Sequence, residues 1–172
     1  MVEIERKFII EKPKFEIISR CECYSLSEIV QIYIESASGI THRIRKRTAD
    51  GVSVYTETKK VRIDRMSAHE DEREISESEF LTLSENIKEG TRPINKKRYT
   101  LLYGGKLFEI DEYPEWEKSA ILEIELASRD EAFDMPPFIN VIEEVTGNRA
   151  YSNASMAKSF PVEASVIRNE NV

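Results

Sequence analysis

Cysteine is almost missing from this 172-residue chain: Cys21 and Cys23 are its only two, and a single residue separates them. That spacing disfavours a mutual disulfide, and no further Cys or His stands at zinc spacing, so a disulfide scaffold and a structural zinc site are both set aside. Histidine is equally scarce, at His42 and His69 alone. No apolar run is long enough to cross a bilayer as a helix. The N-terminus, MVEIERKFII, is charged from its third residue and lacks a signal-peptide core. There is no Gly-rich phosphate loop, which excludes a P-loop mechanism. These absences predict a cytoplasmic protein that keeps reduced thiols and has no membrane partner.

Charge is what the chain has in quantity. Charged residues make up 33% of it and hydrophobic ones 40%, with a formal net charge of −7. The apolar share is that of a globular domain, and a chain of this length buries enough surface to fold without a staple. A single domain is expected over 1–162, followed by a loose C-terminal tail over 163–172. An acidic protein is poorly suited to general nucleic-acid binding, which needs many exposed Lys and Arg contacts.

Most segments alternate like strands. Strands are predicted over 2–10, 29–35, 41–47, 52–61, 70–75, 93–103, 106–113 and 119–127. Asp50-Gly51 and Gly104-Gly105 are hairpin turn signals. Ser76 with Glu79 forms a capping box ahead of Phe80, Leu83 and Ile87, with Gly90 as the stop. A second box, Ser128 with Glu131, predicts a short helix before Pro136-Pro137. Further helices are expected over 138–146, ended by Gly147, and over 152–160.

Side chains two apart on a strand share a face. One face then collects Glu3, Glu5, Lys7, Arg43, Arg45, Lys60, Glu72, Glu74, Lys96, Arg98, Glu109, Asp111, Glu123 and Glu125. The other collects Ile4, Phe8, Ile44, Phe108, Ile110, Leu122, Ile124 and Leu126. Amphipathic helices need an apolar sheet surface to cover. If they cover this one and the sheet curls, the charged face becomes the inside of a barrel, wide enough at eight strands for side chains or one small ligand. Charge in such an interior must pair, or bind a ligand and metal. Clustered carboxylates suit Mg²⁺ or Mn²⁺, and clustered Arg and Lys suit phosphate. Both together predict a polyanion held by basic groups with metal bridging it to the carboxylates.

The order of these blocks resembles the CYTH superfamily, the triphosphate tunnel metalloenzymes, over nearly the whole chain. Glu3-Ile4-Glu5-Arg6-Lys7 resembles the ExExK signature and Arg43-Ile44-Arg45 the RxR strand. Tyr55 to Lys60 resembles the T-x-K strand, with Thr58 and Lys60 in the matching places and Lys59 as the alternative in a shifted register. Glu72-Arg73-Glu74, Lys96-Lys97-Arg98, Glu109-Ile110-Asp111 and Glu123-Ile124-Glu125 resemble the later charged strands. Residues 144–147 with Tyr151 and Asn153 resemble the C-terminal helical closure. One position departs: many members carry Arg two residues before the fifth-strand ExE, where this chain has Glu70, and Arg65 or Arg62 could compensate from the adjacent loop.

The resemblance implies an α+β fold: an eight-stranded antiparallel β-barrel, or tunnel, with a charged interior and helices packed outside. It implies metal-dependent hydrolysis of a triphosphate, with inorganic triphosphate as the first expectation. Thiamine triphosphatase, class IV-type adenylyl cyclase and a non-catalytic polyphosphate or nucleotide sensor are the alternatives. Lys7, Glu5 and Arg45 are the expected catalytic residues. Lys7, Arg43, Arg45, Lys60, Lys96 and Arg98 are expected on the phosphates. Glu3, Glu5, Glu123 and Glu125 are expected on Mg²⁺ or Mn²⁺. Glu72, Glu74, Glu109 and Asp111 stand behind them, for metal, water or the orientation of basic side chains. A homodimer is open. His42, Lys46, Arg47 and Arg73 are expected to point away from the interior, and Trp116 to serve local packing.

Overall fold

The computed structural model describes residues 2–164 of the chain. Its strands are β1 (Val2–Glu11), β2 (Glu22–Ile34), β3 (Ile40–Ala49), β4 (Val52–Arg62), β5 (Ser67–Ile75), β6 (Ile94–Tyr103), β7 (Lys106–Glu112), β8 (Ser119–Glu125) and β9 (Val141–Glu144). The first eight run antiparallel in the order β5-β4-β3-β2-β6-β7-β8-β1, and β1 pairs back onto β5 through Glu3 opposite Ala68, which closes the barrel. Closure leaves no long sheet edge. Two of the hairpins turn through the predicted dipeptides. Both residues of Asp50-Gly51 and of Gly104-Gly105 have positive φ, the geometry that matches the twist of a two-residue hairpin.

The apolar face lies outside the barrel, where the rest of the chain covers it. Phe8, Leu101, Phe108, Ile110, Leu122 and Ile124 pack under Ile18 of the one-turn helix α1 (Phe15–Ile18) and under Phe133, Met135, Phe138 and Ile139 of the segment after β8. Ile32, Ile34, Ile44 and Ile75 pack under Phe80 and Leu83 of α2 (Glu77–Ser84). Ser76 Oγ caps α2 by accepting from the Glu79 N–H at 3.1 Å. With both outer surfaces dry, the charged face is left inside.

Four expectations about elements are corrected. No helix forms over 128–135, a stretch of turns and extended backbone. Pro136-Pro137 supplies no N–H and holds the preceding residue extended. The helix expected over 138–146 is the strand β9, laid along β1 with Phe8 opposite Glu144 and Ile9 opposite Glu143. The cause is tertiary. β5 pairs with β1 only over Val2–Ile4, so the far half of β1 would present unmet backbone groups on that side, and β9 meets them. The helix expected over 152–160 shortens to α3 (Asn153–Met156), preceded by a 3₁₀ turn at Arg149–Tyr151. Of the tail expected over 163–172, residues 165–172 lie outside the described residues, and Glu163 is docked. Its carboxylate accepts from the N–H groups of Glu117, Lys118 and Ser119 at 3.1, 2.5 and 2.6 Å.

One end of the barrel is stoppered. Where β6 begins and β7 ends, Tyr33, Ile94, Tyr113, Trp116 and Ile121 pack with Met156, Ala157 and Phe160 of the C-terminal segment. Trp116 is buried there and donates its ring N–H to Pro161 O at 3.0 Å, the packing role expected of it. Among the described residues no helix is long and apolar enough to cross a membrane.

Candidate functional site

Above that apolar stopper the barrel encloses a cavity of about 450 Å³. Its described lining carries eight basic and eight acidic side chains. Seven of the eight barrel strands deliver charge to it by the alternation of the pleat, and the eighth, β2, delivers Tyr33. Register decides which charges meet: Lys7 faces Glu123, Glu5 faces Glu125, Lys60 faces Glu70, and Arg98 faces Asp111.

The deepest of these contacts centre on Asp111, which is fully buried. Its carboxylate accepts from Arg98 Nε and Nη2, both at 2.7 Å, and from Lys96 Nζ at 2.5 Å. Arg98 also reaches Glu109 and, at 3.1 Å, Glu123. Lys7 Nζ lies 2.7 Å from the other Glu123 oxygen and 3.9 Å from Glu5. Burial opposes the charge on Asp111, but Arg98 and then Lys96 outweigh it and hold the carboxyl below its ordinary value. Lys96 moves the other way: burial, then Arg98, push its ammonium down to about 8. The two directions are compatible, because Asp111 commits two of its three contacts to Arg98, leaving Lys96 as the weaker-held cation. Burial also opposes the charge of Lys7, yet Glu123 and Glu5 outweigh it and raise its pKa, keeping Lys7 an ammonium.

The opposite wall is built by β3, β4 and β5. Arg43 Nη2 lies 2.9 Å from Glu70, and Lys60 Nζ lies 2.9 Å from Glu3 and 3.1 Å from Glu70. Buried Thr58 donates its hydroxyl to Glu72 at 2.7 Å. Arg45 is the exception in this wall. Its side chain makes no ion pair or hydrogen bond with any described residue, and its Nε is a buried donor without an acceptor, as is Arg43 Nε. Burial, then neighbouring Arg43 and Arg98, press its guanidinium down to about 10. An orphaned, buried, positively charged donor flanked by other cations is a place for an anion.

The expected residues are therefore distributed as follows. Glu3, Glu5, Lys7, Arg43, Arg45, Lys60, Glu72, Lys96, Arg98, Glu109, Glu123 and Glu125 all line the cavity. Lys60 rather than Lys59 is the inward lysine of β4, since Lys59 is exposed. Asp111 lies beneath the lining as the partner of Lys96 and Arg98, and exposed Glu74 does not reach the cavity. Arg47 is exposed and outside the cavity lining, but it differs from expectation in sharing the parity of Arg43 and Arg45, facing Ile29 of β2 and donating to the buried Ser27 hydroxyl at 2.8 Å. His42, Lys46 and Arg73 do lie on the outer side. There Glu57 accepts from Arg73 and pairs with His42 at 2.7 Å, and Lys46 sits over the Tyr55 ring. Gln31 and Glu70 went unassigned in the sequence. Gln31 is buried on the Arg45 face and donates to Tyr33 Oη at 2.5 Å. For Glu70, parity with Glu72 is the available signal; for Gln31 no residue of its strand is placed inward by the charge pattern.

Whether the site suits a hard divalent cation is a question of donors. Glu5 and Glu125 are directly opposite on β1 and β8, a juxtaposition of like charges that is unfavourable without a cation between them. Glu125 enters no ion pair among the described residues, whereas Glu123 is engaged by Lys7 and Arg98. Among the described residues no three acidic, His or Cys side chains already converge as a ligand set. The donors thus fit Mg²⁺ or Mn²⁺ in chemistry, with Glu5 and Glu125 the least engaged oxygens, Glu3 shared with Lys60 at 2.9 Å, and the phosphate chain and water left to complete the shell.

Two crystal structures of one protein resemble this chain over 92% of its length. The structure described as the inorganic triphosphatase NE1496 is 30% identical, is covered over 96% of its own chain and superposes with a TM-score of 0.59. The other, described as the hypothetical protein NE1496, is 31% identical over 99% of its chain, with a TM-score of 0.56. The PH1819 protein from Pyrococcus horikoshii OT3 shares the fold, at 22% identity over 74% of this chain and 80% of its own, with a TM-score of 0.57. No protein-family model and no curated protein matches the chain.

Proposed function

Because this chain belongs to the family of the inorganic triphosphatase NE1496, we propose that it is a CYTH-type triphosphate tunnel enzyme that hydrolyses inorganic triphosphate with Mg²⁺ or Mn²⁺. The observation that carries this reading is Arg45, whose half-buried side chain has no ion pair among the described residues and whose Nε is a buried donor without an acceptor, beside Arg43 in the barrel cavity.

Arg45, Arg43 and Lys60 on one wall and Lys96 and Arg98 on the other grip the phosphate chain from both sides. Arg98 and Lys96 are held in place by Asp111, so their geometry is set before substrate arrives. Phosphoryl transfer depends mainly on such positioning and on neutralising charge. The lining is balanced in sign, so a polyanion entering alone would find as much repulsion as attraction. Glu3, Glu5 and Glu125 would hold a divalent cation, which would supply positive charge against the phosphates and polarise them. Water bonds to the terminal phosphorus as the bridging P–O bond breaks, the bond's electrons leave with diphosphate, and the water proton passes to a phosphate oxygen, giving phosphate and diphosphate. Lys7, held as an ammonium by Glu123 and Glu5, steers the phosphate or the water and does not accept the proton.

The test is phosphate release from inorganic triphosphate, thiamine triphosphate and ATP side by side, with chelator and with Mg²⁺ or Mn²⁺. Inorganic triphosphate is expected to turn over fastest, only with metal. Undiminished hydrolysis in excess chelator would refute the metal role, and faster turnover of an organic triphosphate would reassign the substrate.

A further inference from the structure

Glu70 sits on β5 opposite Lys60 of β4, with its side chain only 8% exposed. One of its oxygens lies 2.9 Å from Arg43 Nη2 and the other 3.1 Å from Lys60 Nζ. Lys60 is shared with Glu3, whose carboxylate adjoins that of Glu70. Of Arg43, Arg45 and Lys60 on this wall, two are thus already answered by one buried carboxylate, and Arg45 has no ion pair among the described residues. We propose that Glu70 is a specificity-determining residue that makes this wall accept a polyphosphate only together with a divalent cation. The proposal rests on the reading of the cavity as a triphosphate site.

The reasoning is one of competition. A phosphate oxygen that reaches Arg43 or Lys60 must take donor hydrogens that Glu70 now holds. The displaced carboxylate would then lie buried beside an anion, and like charges out of water repel strongly. A divalent cation arriving with the phosphate removes the repulsion by standing between anions, and it frees Arg43 and Lys60 for the substrate. Affinity for anion and for cation are then coupled, each raising the other by one factor. Glu72 cannot do the same, although it lies 3.9 Å from Arg43, because its side chain is 40% exposed and water screens it.

The experiment is calorimetric binding of imidotriphosphate, whose P–NH–P bridges resist hydrolysis, to the full chain in chelator and in Mg²⁺. Wild type, Glu70→Gln and Glu72→Gln are compared, with a melting curve for each. Wild type is expected to bind much more weakly in chelator than in Mg²⁺. Glu70→Gln is expected to tighten chelator binding by roughly ten- to a hundredfold, the worth of a charge-assisted contact regained, and to shrink the ratio of the two dissociation constants by a similar factor. Glu72→Gln is expected to change that ratio by no more than about fivefold. Glu70→Ala, which admits water, carries the same expectation should the Gln variant fail to fold. An unchanged ratio in the Glu70 variants overturns the proposal. So does loss of Mg²⁺-dependent binding without any gain in chelator, which would place Glu70 among the cation's ligands. If wild type binds the probe in neither condition, the triphosphate reading itself fails, a result distinct from both.

Discussion

Replacing Asp111 with Asn tests the buried end of the tunnel. The carboxylate is 0% exposed and receives three charged hydrogen bonds, from Lys96 at 2.5 Å and from Arg98 twice at 2.7 Å. Asn keeps the shape and removes the charge, leaving an ammonium and a guanidinium buried against each other. Breaking a buried ion pair from one side costs about 3–5 kcal/mol. For a domain of this size each kcal/mol moves the melting temperature by about 2–4 °C, so a fall of roughly 6–20 °C is expected. Glu109 is the internal control: it binds the same Arg98, but its side chain is 39% exposed, and Glu109→Gln should cost no more than about 1 kcal/mol. The assay is urea and thermal unfolding of both variants at neutral pH. The sign of the pH dependence is also fixed. Asp111 has a folded pKa below its ordinary 3.8, so its contribution is fully present above 3.8 and is lost as pH falls through the lower, folded value. Equal stability losses in Asp111→Asn and Glu109→Gln would refute the claim that burial, not charge count, sets the worth of these pairs.

Two further outcomes follow from the same geometry. The Lys96 ammonium is pushed from 10.5 down to about 8, so the folded protein sheds that proton first and the phosphate contact is present below about 8 and lost above it. The Michaelis constant for triphosphate should therefore rise as pH passes 8 in wild type but not in Lys96→Arg, and the same rise in the Arg variant would exclude Lys96 as the titrating group. Glu5→Gln and Arg45→Ala should fail differently in a metal titration at fixed substrate. The Glu5 variant recovers some turnover at high Mn²⁺, and the Arg45 variant, short of a phosphate contact worth roughly 1.5–3 kcal/mol, does not recover; rescue of the Arg variant would break that division.

The barrel was legible because alternation and turn chemistry act locally. Asp50-Gly51 and Gly104-Gly105 fix two hairpins, and the isoleucines and phenylalanines of β1, β3, β7 and β8 fix which face is dry. What the pattern could not carry was a demand arising elsewhere. Residues 141–144 read equally well as part of a helix, and they are extended because β1 runs past the end of its pairing with β5. The start of β2 is similar: it reaches back to Glu22 through an irregular register before Ser25, with Cys23 at positive φ, and its alternation, Tyr24-Ser25-Leu26-Ser27, is too short to announce a strand by itself.

The site was legible as a set of charges and not as a set of commitments. Arg43, Arg45 and Arg98 are alike in sequence, each an arginine on an inward strand position. The fold separates them through partners 27 residues away for Arg43, in Glu70, and 25 away for Arg98, in Glu123, and it leaves Arg45 with none among the described residues. Those distances along the chain are set by barrel closure and register, which a local pattern does not contain. Parity, by contrast, was available and sufficed for Arg47 and Glu70, each two residues from one already placed inward. A charged strand face therefore names the class of ligand, and the pairing across strands decides which cations remain to bind it. In this barrel that remainder is small, so a polyanion must bring its own positive charge or displace a carboxylate, and Glu70 is the carboxylate in its path.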